Sequence, residues 1–536
     1  MKAATAEQMK RLDKRTIEER GIPSVVLMER AAGFVAEEAL ALLAEKKAKA
    51  DLGMKGKTVS YEGQLRAGVF CGPGNNGGDG VGAARFLRKQ GIEVRAFLVG
   101  KREKMTEDTR EMERRLQDLG GCLEDWSGSE DQISWCEQAN VLVDAVLGIG
   151  LHNEVREETA KVLTFMDSLS VPVVAVDIAS GIEADTGRVL GTAVHAERTV
   201  TFTCPKPGHY VGQGAFYAGK IRVCDIGIPD ELLKEETFRT EIVDRELAAS
   251  WLPVRPADGH KGTFGKVYAV GGSVGLTGAP VFAARAAART GSGLVFLGVP
   301  EEIYPITAVM CMEAMPSPLP GREGRILAEA YFQILERLNT SDAGLIGPGL
   351  GRSAELVTLV CRLLEQTTKP MVLDADALYA IKDRKNVLKE RAEKGYTTIL
   401  TPHEGEFAYL GGDLSPGREE AARRFAAEYG CILVLKGPGT ITAAPDGTTF
   451  VNTTGNNGMA KGGSGDILSG MILSLLGQGM EPVSAAALAV WLHGFAGDLC
   501  REELGEFGML PTDMLEQLPR AVRSLQNSSR KLLLEY

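Results

Sequence analysis

The chain has 536 residues, of which 44% are apolar and 24% are charged, and its formal net charge at pH 7 is −11. Because this length exceeds what one hydrophobic core usually serves, we expect two domains in a soluble globular protein. The acidic balance disfavours a nucleic-acid-binding surface, since such a surface needs an excess of basic side chains.

The nine cysteines include no Cys-x-x-Cys pair, and their odd number favours reduced thiols in a cytoplasmic protein. The first residues, Met1 to Thr5, contain no apolar signal core. No apolar run approaches the roughly 18 residues that a membrane-spanning helix needs. We therefore expect a cytoplasmic protein that is not exported and has no membrane partner.

Two helices are predicted ahead of the first strand. Thr5 and Gln8 have the spacing of a capping box, which predicts a helix over residues 5–20. A second apolar periodicity runs from about Ser24 to Ala44. Residues 45–66 are polar and contain glycine, so we interpret them as a surface connection.

The first predicted strand, Ala67–Cys71, is followed by a glycine-rich loop at 72–80 and by a helix to about Gln90. Strand, glycine loop and helix in this order are typical of a phosphate-binding unit. The glycine spacing also satisfies the dinucleotide fingerprint, but no acidic residue closes the next strand, 94–99. An ordinary Rossmann dehydrogenase is therefore disfavoured.

Two later strands, 141–144 and 173–177, end in the carboxylates Asp144 and Asp177. In a parallel sheet these ends share one edge with the loop of Asp79, so the three carboxylates are predicted to converge on one cleft. Each carboxylate alone would be explained equally well as a turn or cap former. Oxygen ligands in this region would suit a hard cation better than zinc: Asn76, Asp144 and Ser180.

The pattern changes after residue 229. Residues 230–262 carry clusters of charge together with prolines and glycines, so we place a domain boundary near 235–245. A second α/β domain is predicted from Gly265 onward, again with a mostly parallel sheet and helices on both faces. Its strands are predicted at 265–273, 294–299, 343–346, 370–373, 398–400 and 431–435.

Four strands of this second domain run into glycine or polar residues, which predicts a shared cleft at their ends. Any one of these segments alone could be a turn, and a lone His403 would more often be structural. Their recurrence at successive strand ends favours a site. The segments are 346–351, 374–376, 401–406 and 436–440.

The stretch from Asn452 to Gly470 is the densest glycine-rich segment of the chain and precedes an apolar, helix-compatible run, 467–476. Bare backbone N–H groups at such a helix N-terminus bind phosphate or an oxyanion. Asp466 lies inside this segment, where it is either a first-turn cap or a base facing a substrate hydroxyl. The density of glycine leads us to favour the base.

The motifs of the first half resemble the NAD(P)H-hydrate epimerase family, also called the YjeF N-terminal domain, which implies a Rossmann-like fold. The motifs are Gly-Pro-Gly-Asn-Asn-Gly-Gly-Asp-Gly at 72–80, Val-Asp-Ala at 143–145 and Val-Asp-Ile-x-Ser-Gly at 176–181. The family usually has proline where this chain has Ala179, so the turn is expected to be less rigid. The motif's carboxylate and hydroxyl are retained.

The motifs of the second half resemble the NAD(P)H-hydrate dehydratase family, which implies a ribokinase-like fold. They are His-Lys-Gly at 260–262, Gly-Pro-Gly-Leu-Gly at 347–351, Asp-Ala-Asp-Ala-Leu at 374–378, Pro-His-Glu-Gly-Glu at 402–406, Lys-Gly-Pro-Gly-Thr at 436–440 and Gly-Ser-Gly-Asp at 463–466. Both sets in one chain are similar to bacterial bifunctional NAD(P)H-hydrate repair enzymes. The resemblance covers the chain except for residues 45–66 and the C-terminal tail. Residues 521–536 of this tail are expected to form a frayed helix.

This resemblance implies an epimerase domain at 1–240 and a dehydratase domain at 241–536. The substrates would be NADHX and NADPHX, the hydrated forms of NADH and NADPH. The first domain would interconvert their R and S epimers, and the second would dehydrate the S epimer with ADP, releasing AMP and phosphate. The implied cofactors are potassium in the first domain and magnesium with ADP in the second, and we expect a homo-oligomer.

The resemblance also implies the site residues. In the first site, Asp177 would be the acid/base. Residues Asn75, Asn76, Gly77, Gly78, Asp79, Gly148, Ile149, Gly150, Leu151, His152, Asn153 and Glu154 would hold the hydrate with Asp177, and Asn76, Asp144 and Ser180 would lie near potassium. In the second site, Ala279, Gly349, His403 and the catalytic Asp466 would contact the hydrate, and Lys436, Gly437, Pro438, Gly439, Thr440 and Gly465 would hold the nucleotide.

Elementary chemistry agrees with a kinase-like dehydratase. Hydroxide is a poor leaving group, and phosphorylating it makes a good one. Asp466 would take the hydroxyl proton while the N–H groups of Gly463 to Gly465 stabilise the transferring phosphoryl group.

Two rival hypotheses remain at this point. The glycine loop alone is also compatible with a small-alcohol or vitamin-precursor kinase that carries an accessory nucleotide-binding domain, in which case a phosphorylated product would accumulate. A nucleotide-sensing module would need the glycine loops but no base, so Asp177 and Asp466 argue against it.

Overall fold

A computed structural model describes residues 1–51 and 64–534 of the chain. It divides into two compact units, one comprising Lys2–Phe238 and the other beginning at Arg239.

The first unit alternates strands and helices. In chain order its elements are β1 (Lys2–Ala3), α1 (Ala6–Arg20), α2 (Ser24–Asp51), β2 (Arg66–Cys71), α3 (Asn75–Lys89), β3 (Glu93–Leu98), α4 (Glu107–Gln117), β4 (Leu123–Asp125), α5 (Glu130–Glu137), β5 (Val141–Ala145), α6 (Glu157–Ser168), β6 (Val173–Val176), β7 (Arg198–Phe202), α7 (Gly214–Tyr217), β8 (Lys220–Cys224) and α8 (Asp230–Glu235).

Seven strands of this unit form one sheet in the order β4-β3-β2-β5-β6-β7-β8. Every neighbouring pair is parallel. Successive residues of β2 point to opposite faces of the sheet. Val69 packs with α2, α3 and α4 on one face, and Phe70 packs with α5 and α6 on the other. The predicted parallel sheet with helices on both faces is confirmed. The strand order reverses between β2 and β5, which is where open parallel sheets bind ligands.

Several local predictions for this unit need correction. The loop after β2 is short, because α3 begins at Asn75 and takes in most of the predicted glycine loop. The glycines serve close packing: a side chain on Gly77 would come within 1.7 Å of the Gly72 carbonyl oxygen. Helix α2 runs on to Asp51 through part of the predicted connection, and residues 52–63 lie outside the described residues.

The predicted capping box at the start of α1 is confirmed. Gln8 N donates to Thr5 Oγ1 at 3.2 Å, and Thr5 N donates to Gln8 Oε1 at 2.9 Å.

The second unit contains more elements. They are β9 (Thr240–Val243), α9 (Arg245–Trp251), β10 (Lys266–Val270), α10 (Gly278–Arg289), β11 (Leu294–Pro300), α11 (Tyr304–Met310), β12 (Met315–Leu319), β13 (Gly321–Arg322), β14 (Arg325–Ile326), α12 (Tyr331–Asn339), β15 (Ala343–Ile346), α13 (Ala354–Gln366), β16 (Met371–Leu373), α14 (Asp376–Ile381), α15 (Asn386–Glu393), β17 (Thr398–Leu400), α16 (Glu404–Tyr409), α17 (Arg418–Tyr429), β18 (Ile432–Leu435), β19 (Ile441–Ala443), β20 (Thr449–Asn452), α18 (Ser464–Gly477), α19 (Pro482–Gly508) and α20 (Pro511–Leu534).

The main sheet of the second unit has the order β9-β20-β19-β18-β17-β16-β15-β10-β11-β12. The strands from β18 to β12 pair in parallel, as predicted, whereas β18, β19 and β20 form an antiparallel meander that the sequence patterns did not predict. Leu345 faces the core with α10, α18 and α19, while Gly344 faces Leu338 of α12 on the other side. Helices therefore cover both faces.

Helix α19 is long and apolar enough to cross a membrane by length and composition alone. Within the fold, 78% of its most apolar window is buried, and Trp491, Leu492 and Ala496 belong to the core of the second unit. Its apolar composition is thus explained by packing inside this unit. Helix α20 covers the tail as far as Leu534.

Candidate active sites

In the first unit, Asp144 is fully buried at the end of β5. Its Oδ1 accepts a hydrogen bond from Ser180 Oγ at 2.5 Å, and its Oδ2 accepts one from Ser180 N at 2.8 Å. Burial raises the pKa of Asp144 to about 6, although the bonds from Ser180 and from Val146 N lower it. No cationic side chain pairs with this carboxylate among the described residues.

Asn76 lies beside the same segment. A side chain on Gly148 would come within 3.0 Å of Asn76 Oδ1, and Ser180 Oγ accepts a hydrogen bond from Leu147 N at 2.8 Å. The Nδ2 of Asn76 is buried and has no hydrogen-bond partner within the described ranges. The structure therefore brings Asn76, Asp144 and Ser180 together around residues 146–148. Within the described ranges, the carboxylate of Asp144 has no cationic partner and the amide nitrogen of Asn76 has no hydrogen-bond acceptor.

Asp177, directly after β6, has a left-handed backbone with φ of 65°. This conformation is strained for a residue with a side chain, so the surroundings must hold it. Asp177 N donates to Val200 O at 2.7 Å, and the Asp177 carbonyl bonds to His209 Nε2 at 2.9 Å. Because Lys206 N donates to His209 Nδ1 at 3.1 Å, the Nε2 of His209 carries the proton and donates.

The side chain of Asp177 is held by Thr201 and Lys206. Thr201 Oγ1 donates to Asp177 Oδ1 at 2.9 Å, and the Lys206 ammonium donates to the same oxygen and to Thr201 Oγ1, the latter at 2.8 Å. Lys206 is only 1% exposed. Sequence reasoning missed Thr201, Lys206 and His209, because it searched strand ends for carboxylates. The signal was available, since Lys206 follows β7 at the same sheet edge.

Two more carboxylates belong to this charge cluster. Burial, followed by the charges of Asp177, Asp13 and Asp108, raises the pKa of Asp79 well above its usual range. Burial also raises the pKa of Asp13 on α1 to about 6, against the lowering effect of Lys206. Asp13 was not predicted, because it lies ahead of the motifs. Burial lowers the pKa of His209 to about 4, so this imidazole is neutral near pH 7.

The remaining residues predicted for the first site differ in exposure. Asn75 is exposed and begins α3, whereas Gly77 and Gly78 are buried in its first turns. In the segment after β5, Ile149 and Leu151 are half-buried, and the exposed residues are Gly150, His152, Asn153 and Glu154. No hydrogen bond between this segment and Asp177 occurs among the described residues. The predicted turn at Ala179 forms without proline, since Ile182 N donates to its carbonyl at 3.1 Å.

In the second unit, helix α18 begins at Ser464, so that Asp466 lies in its first turn. The N-cap, Gly463, has φ of 105° and provides no side-chain cap. A side chain at Gly463 would come within 2.8 Å of the Phe282 ring. Three features thus combine at one place: a required glycine, uncapped backbone N–H groups and the positive end of a 14-residue helix. This arrangement suits an anionic ligand.

Lys436 lies at the centre of the second site. Its ammonium is 3.1 Å from Asp374 Oδ1 and 3.7 Å from Glu406 Oε2. A side chain on Gly465 would come within 3.2 Å of the same ammonium. Burial, then the charge of Asp374, raises the pKa of Asp466 to about 7; Glu406 also raises it and Lys436 lowers it. Strand ends β16, β17 and β18 therefore converge on the start of α18, as predicted.

His403 forms the N-cap of α16. Its Nδ1 accepts hydrogen bonds from Gly405 N at 3.0 Å and Glu406 N at 3.3 Å, while Glu406 Oε2 accepts one from His403 N at 2.9 Å. The side chain is 61% exposed. The structural role anticipated for a lone histidine is thus present, and Nε2 lies 3.6 Å from Glu406 Oε2.

Gly349 and Ala279 lie next to each other. Gly349 has φ of 64°, and a side chain there would come within 3.1 Å of the Ala279 Cβ and 2.7 Å of the Leu276 carbonyl oxygen. The Gly349 carbonyl accepts a hydrogen bond from Ser273 Oγ at 2.9 Å. Two of the predicted hydrate contacts therefore form one small-residue surface beside the exposed Leu276.

The loop Lys436–Thr440 is held from behind by Arg418, which sequence reasoning missed. Arg418 donates to the carbonyls of Lys436, at 3.1 Å, and Pro438. Within the loop, Thr440 Oγ1 donates to Gly437 O at 2.8 Å. Gly437 and Pro438 are exposed and Gly439 half-buried, so the loop presents backbone groups to solvent.

Helix α19 anchors the glycine segment that leads into α18. Asp498 Oδ2 accepts a hydrogen bond from Gly455 N at 2.9 Å, and its Oδ1 accepts one from Asn456 Nδ2 at 3.0 Å. Thr454 Oγ1 donates to Trp491 O at 2.8 Å. Asp498 is therefore a second unpredicted residue that fixes a loop of this site.

In the part of the chain that the structure describes, no group of three His, Cys, Asp or Glu side chains is placed to hold a metal ion. A cation in either site would thus need other oxygen ligands, such as amide, hydroxyl, backbone or phosphate oxygens.

Two family models match the chain. The model for NAD(P)H-hydrate dehydratase matches residues 267–520, and the model described as YjeF-related protein N-terminus matches residues 24–208.

Curated relatives match over nearly the full length. The bifunctional NAD(P)H-hydrate repair enzyme Nnr of Moorella thermoacetica is 40% identical over 538 residues, covering 98% of this chain and 97% of that protein. The protein of the same name from Thermofilum pendens is 35% identical, with 100% and 99% covered, and the one from Escherichia coli is 35% identical, with 85% and 84% covered.

Among solved structures, the ADP/ATP-dependent NAD(P)H-hydrate dehydratase of Bacillus subtilis, co-crystallised with ATP and Mg²⁺, is 32% identical. It covers 53% of this chain and 98% of its own, with a TM-score of 0.46.

Proposed function

Because the chain belongs to the family of bifunctional NAD(P)H-hydrate repair enzymes, we propose that residues 1–240 carry the epimerase and residues 241–536 the dehydratase. The two family matches end and begin on either side of the division between Phe238 and Arg239, which supports this assignment. The protein is an isomerase and a lyase. The epimerase interconverts the R and S forms of the hydrate, and the dehydratase returns the S form to NADH or NADPH.

For the epimerase, Asp177 is the acid/base. Inverting the hydroxyl-bearing carbon requires a proton to leave the substrate and later to return. The observation that supports this role is the strained backbone of Asp177, held by Val200 and His209, together with the anchoring of Oδ1 by Thr201 and Lys206. No described group donates to Oδ2. A carboxylate fixed through one oxygen presents the other to a substrate hydroxyl.

Potassium belongs beside this base, near Asn76, Asp144 and Ser180. The buried carboxylate of Asp144 lacks a cationic partner within the described ranges, and the side-chain amide of Asn76 contacts the same segment, 146–148. Oxygen donors of this kind suit a hard, weakly charged cation. When bound, the cation would compensate the charge of Asp144 and fix the loop that borders the substrate.

For the dehydratase, Asp466 is the base and the start of α18 is the anion site. Asp466 takes the proton of the substrate hydroxyl as that oxygen attacks the terminal phosphoryl group of ADP, and AMP leaves with the electron pair of the broken P–O bond. Phosphate then departs from the carbon with the electron pair of the C–O bond, and the neighbouring ring carbon loses a proton to water as the double bond forms. The uncapped N–H groups near Gly463 and Gly465, with Lys436 opposite, would stabilise charge on the transferring group.

The nucleotide is held by the loop Lys436–Thr440, and the hydrate by Ala279, Gly349 and His403. Magnesium would arrive with the nucleotide, because the described residues offer no three-ligand metal group. In that mode phosphate oxygens supply much of the coordination and the protein contributes one or two carboxylates. Asp374, Glu406 and Asp466 outnumber Lys436, which would favour such a cation, whereas Asp376 is paired with Arg352 at 2.8 Å.

The protein would act on free nucleotides in the cytoplasm as a homo-oligomer. Its nine cysteines are free thiols, eight of them buried, which fits a reducing compartment. Exposed apolar side chains at and after α11, namely Ile306, Val309, Met310 and Met312, would be covered by a partner subunit. Sedimentation at micromolar concentration tests the oligomer, and a monomer would contradict it.

The function is tested with a mixture of R and S NADHX, supplied with ADP or ATP, by following recovery of NADH absorbance. The wild-type chain should recover both epimers and release inorganic phosphate. Asp177→Ala should recover only the S epimer, and Asp466→Asn should recover none yet still equilibrate the epimers. Accumulation of a phosphorylated product without NADH would favour the kinase alternative. Withdrawing potassium should slow epimerisation while leaving dehydration of the S epimer unchanged.

A further inference from the structure

We infer that Lys206 is a positioning residue for epimerisation, which holds one carboxylate oxygen of Asp177 and aims the other at the substrate through a closed hydrogen-bond triangle with Thr201. This inference rests on the proposed role of Asp177 as the acid/base and adds two residues that no motif of the sequence singled out.

The inference rests on the hydrogen bonds among Lys206, Thr201 and Asp177. The Lys206 ammonium donates to Asp177 Oδ1 and to Thr201 Oγ1, and Thr201 Oγ1 donates to Asp177 Oδ1. All bonds to the carboxylate thus converge on one oxygen. The position of Lys206 is fixed in turn, because its backbone N–H donates to His209 Nδ1, and His209 Nε2 donates to the Asp177 carbonyl. Backbone and side chain of Asp177 are therefore held by the same short segment.

The ammonium of Lys206 lies among several carboxylates. Asp177, Asp79 and Asp13 face Lys206 from three different elements, with Asp108 beside Asp79. His209 is neutral near pH 7 because burial depresses its pKa to about 4. Lys206 is thus the cation that faces this cluster of carboxylates.

A purely structural lysine would predict something different. Lys206 is 1% exposed, and a buried ammonium is costly unless it is paired. If the pair served folding alone, replacing Lys206 and Asp177 together by uncharged side chains of similar shape would be close to neutral, as often observed for buried ion pairs. The positioning role instead predicts a fall in kcat for epimerisation that KM does not share and that Lys206→Arg partly reverses.

The experiment compares Lys206→Met, Lys206→Arg and Thr201→Val in the full chain. Epimerisation is measured from loss of R-NADHX and dehydration from conversion of purified S-NADHX with ADP. We expect Lys206→Met to lower kcat for epimerisation on the order of 100-fold, the usual effect of disabling a positioned acid or base. KM for R-NADHX should change much less. Lys206→Arg should restore part of kcat, and Thr201→Val should show a smaller loss.

Dehydration takes place in the other unit and should stay at the wild-type level, whereas an unchanged KM for R-NADHX reports that the epimerase unit of the variant is folded. A wild-type kcat for epimerisation in Lys206→Met would overturn the inference. So would a rise in KM as large as the fall in kcat, without any rescue by Lys206→Arg. Asp177→Asn separates the two claims: if it keeps full epimerase activity, the proposed role of Asp177 fails; if it is inactive while Lys206→Met is normal, only the Lys206 inference fails.

Discussion

Lys436 and Asp374 are 62 residues apart in the chain and form an ion pair of 3.1 Å. They lie at the ends of strands β18 and β16. The pair lies next to the start of α18 and to the loop proposed to hold the nucleotide. Its consequence is that one ammonium both neutralises a buried carboxylate and faces the phosphate site.

Replacing Lys436 by methionine should therefore raise KM for ADP and lower kcat for dehydration. The variant removes the cation opposite the anion site and leaves Asp374, which is 1% exposed, without its partner. Initial rates at varied ADP with saturating S-NADHX measure both parameters.

Lys394→Met is the matched control, since Lys394 is exposed after α15 and precedes β17, whereas the site residues follow the end of that strand. Its dehydration kinetics should match those of the wild type, and both variants should epimerise normally. An unchanged KM for ADP in Lys436→Met would remove Lys436 from the nucleotide site.

Dehydration should depend on pH through Asp466. Burial and the neighbouring Asp374 raise the pKa of this carboxyl to about 7, so that roughly half of the free enzyme holds Asp466 protonated at that pH. A base must be deprotonated to act, so kcat/KM for S-NADHX should fall as the pH drops below about 7 and level off above it. The profile is measured between about pH 5.5 and 9 with saturating ADP.

Epimerisation by the same samples provides the comparison, because its groups lie in the other unit and should give a profile of different shape. Asp466→Asn should abolish dehydration at every pH. A dehydration profile that stays flat down to pH 5.5 would show that Asp466 is not the base that limits the free enzyme.

The sequence predicted the architecture well because the strands are short, apolar runs that end in glycine or aspartate. Asp144, Asp177, His403 and Lys436 all lie at the sheet edges where these patterns placed them. What the patterns missed is contact at long range. Lys206 reaches Asp177 and Asp498 reaches Gly455 from elements whose own sequences read as ordinary loop and core helix.

Helix boundaries were the other weakness, and the reason is physical. Glycine-rich segments at 75–80 and 464–466 read as loops by propensity, yet both are first turns of helices. Close packing overrides propensity here: a side chain on Gly80 would come within 2.5 Å of the Ala145 Cβ. Strand β18 was predicted, but β19 and β20, which complete the antiparallel meander, were missed.

Asp498 should support dehydration by fixing the loop that leads into α18. Replacing it with alanine removes acceptors for Gly455 N and Asn456 Nδ2, which are both held by this carboxylate. Charge-assisted bonds of this kind are typically worth about 1.5–3 kcal/mol each to the structure they hold. We expect kcat for dehydration to fall at least about 10-fold, since small misplacement of an anion site is costly to catalysis.

Glu502→Gln on the same helix is the matched control, because Glu502 is exposed and no hydrogen bond joins it to the loop among the described residues. It should behave as the wild type. Hydrogen exchange of residues 453–463 should speed up in Asp498→Ala and not in Glu502→Gln; full activity with unchanged exchange would show that the loop is held by other contacts.

Gly181 should be needed for folding of the epimerase unit for two reasons, its positive φ and the lack of space for a side chain. Gly91 is a control that separates these two effects. The φ of 98° at Gly181 disfavours any side chain, and a Cβ there would lie 1.9 Å from the Thr192 carbonyl oxygen. Gly91 has φ of 80°, but a Cβ at that position would have no neighbouring atom within 4 Å. Gly91→Ala should therefore cost only the backbone penalty, about 1–2 kcal/mol in the free energy of unfolding. Gly181→Ala should cost clearly more and abolish epimerisation, because the turn that carries Ser180 would shift. Urea unfolding of both variants measures the difference, and equal costs would mean that the turn yields without strain.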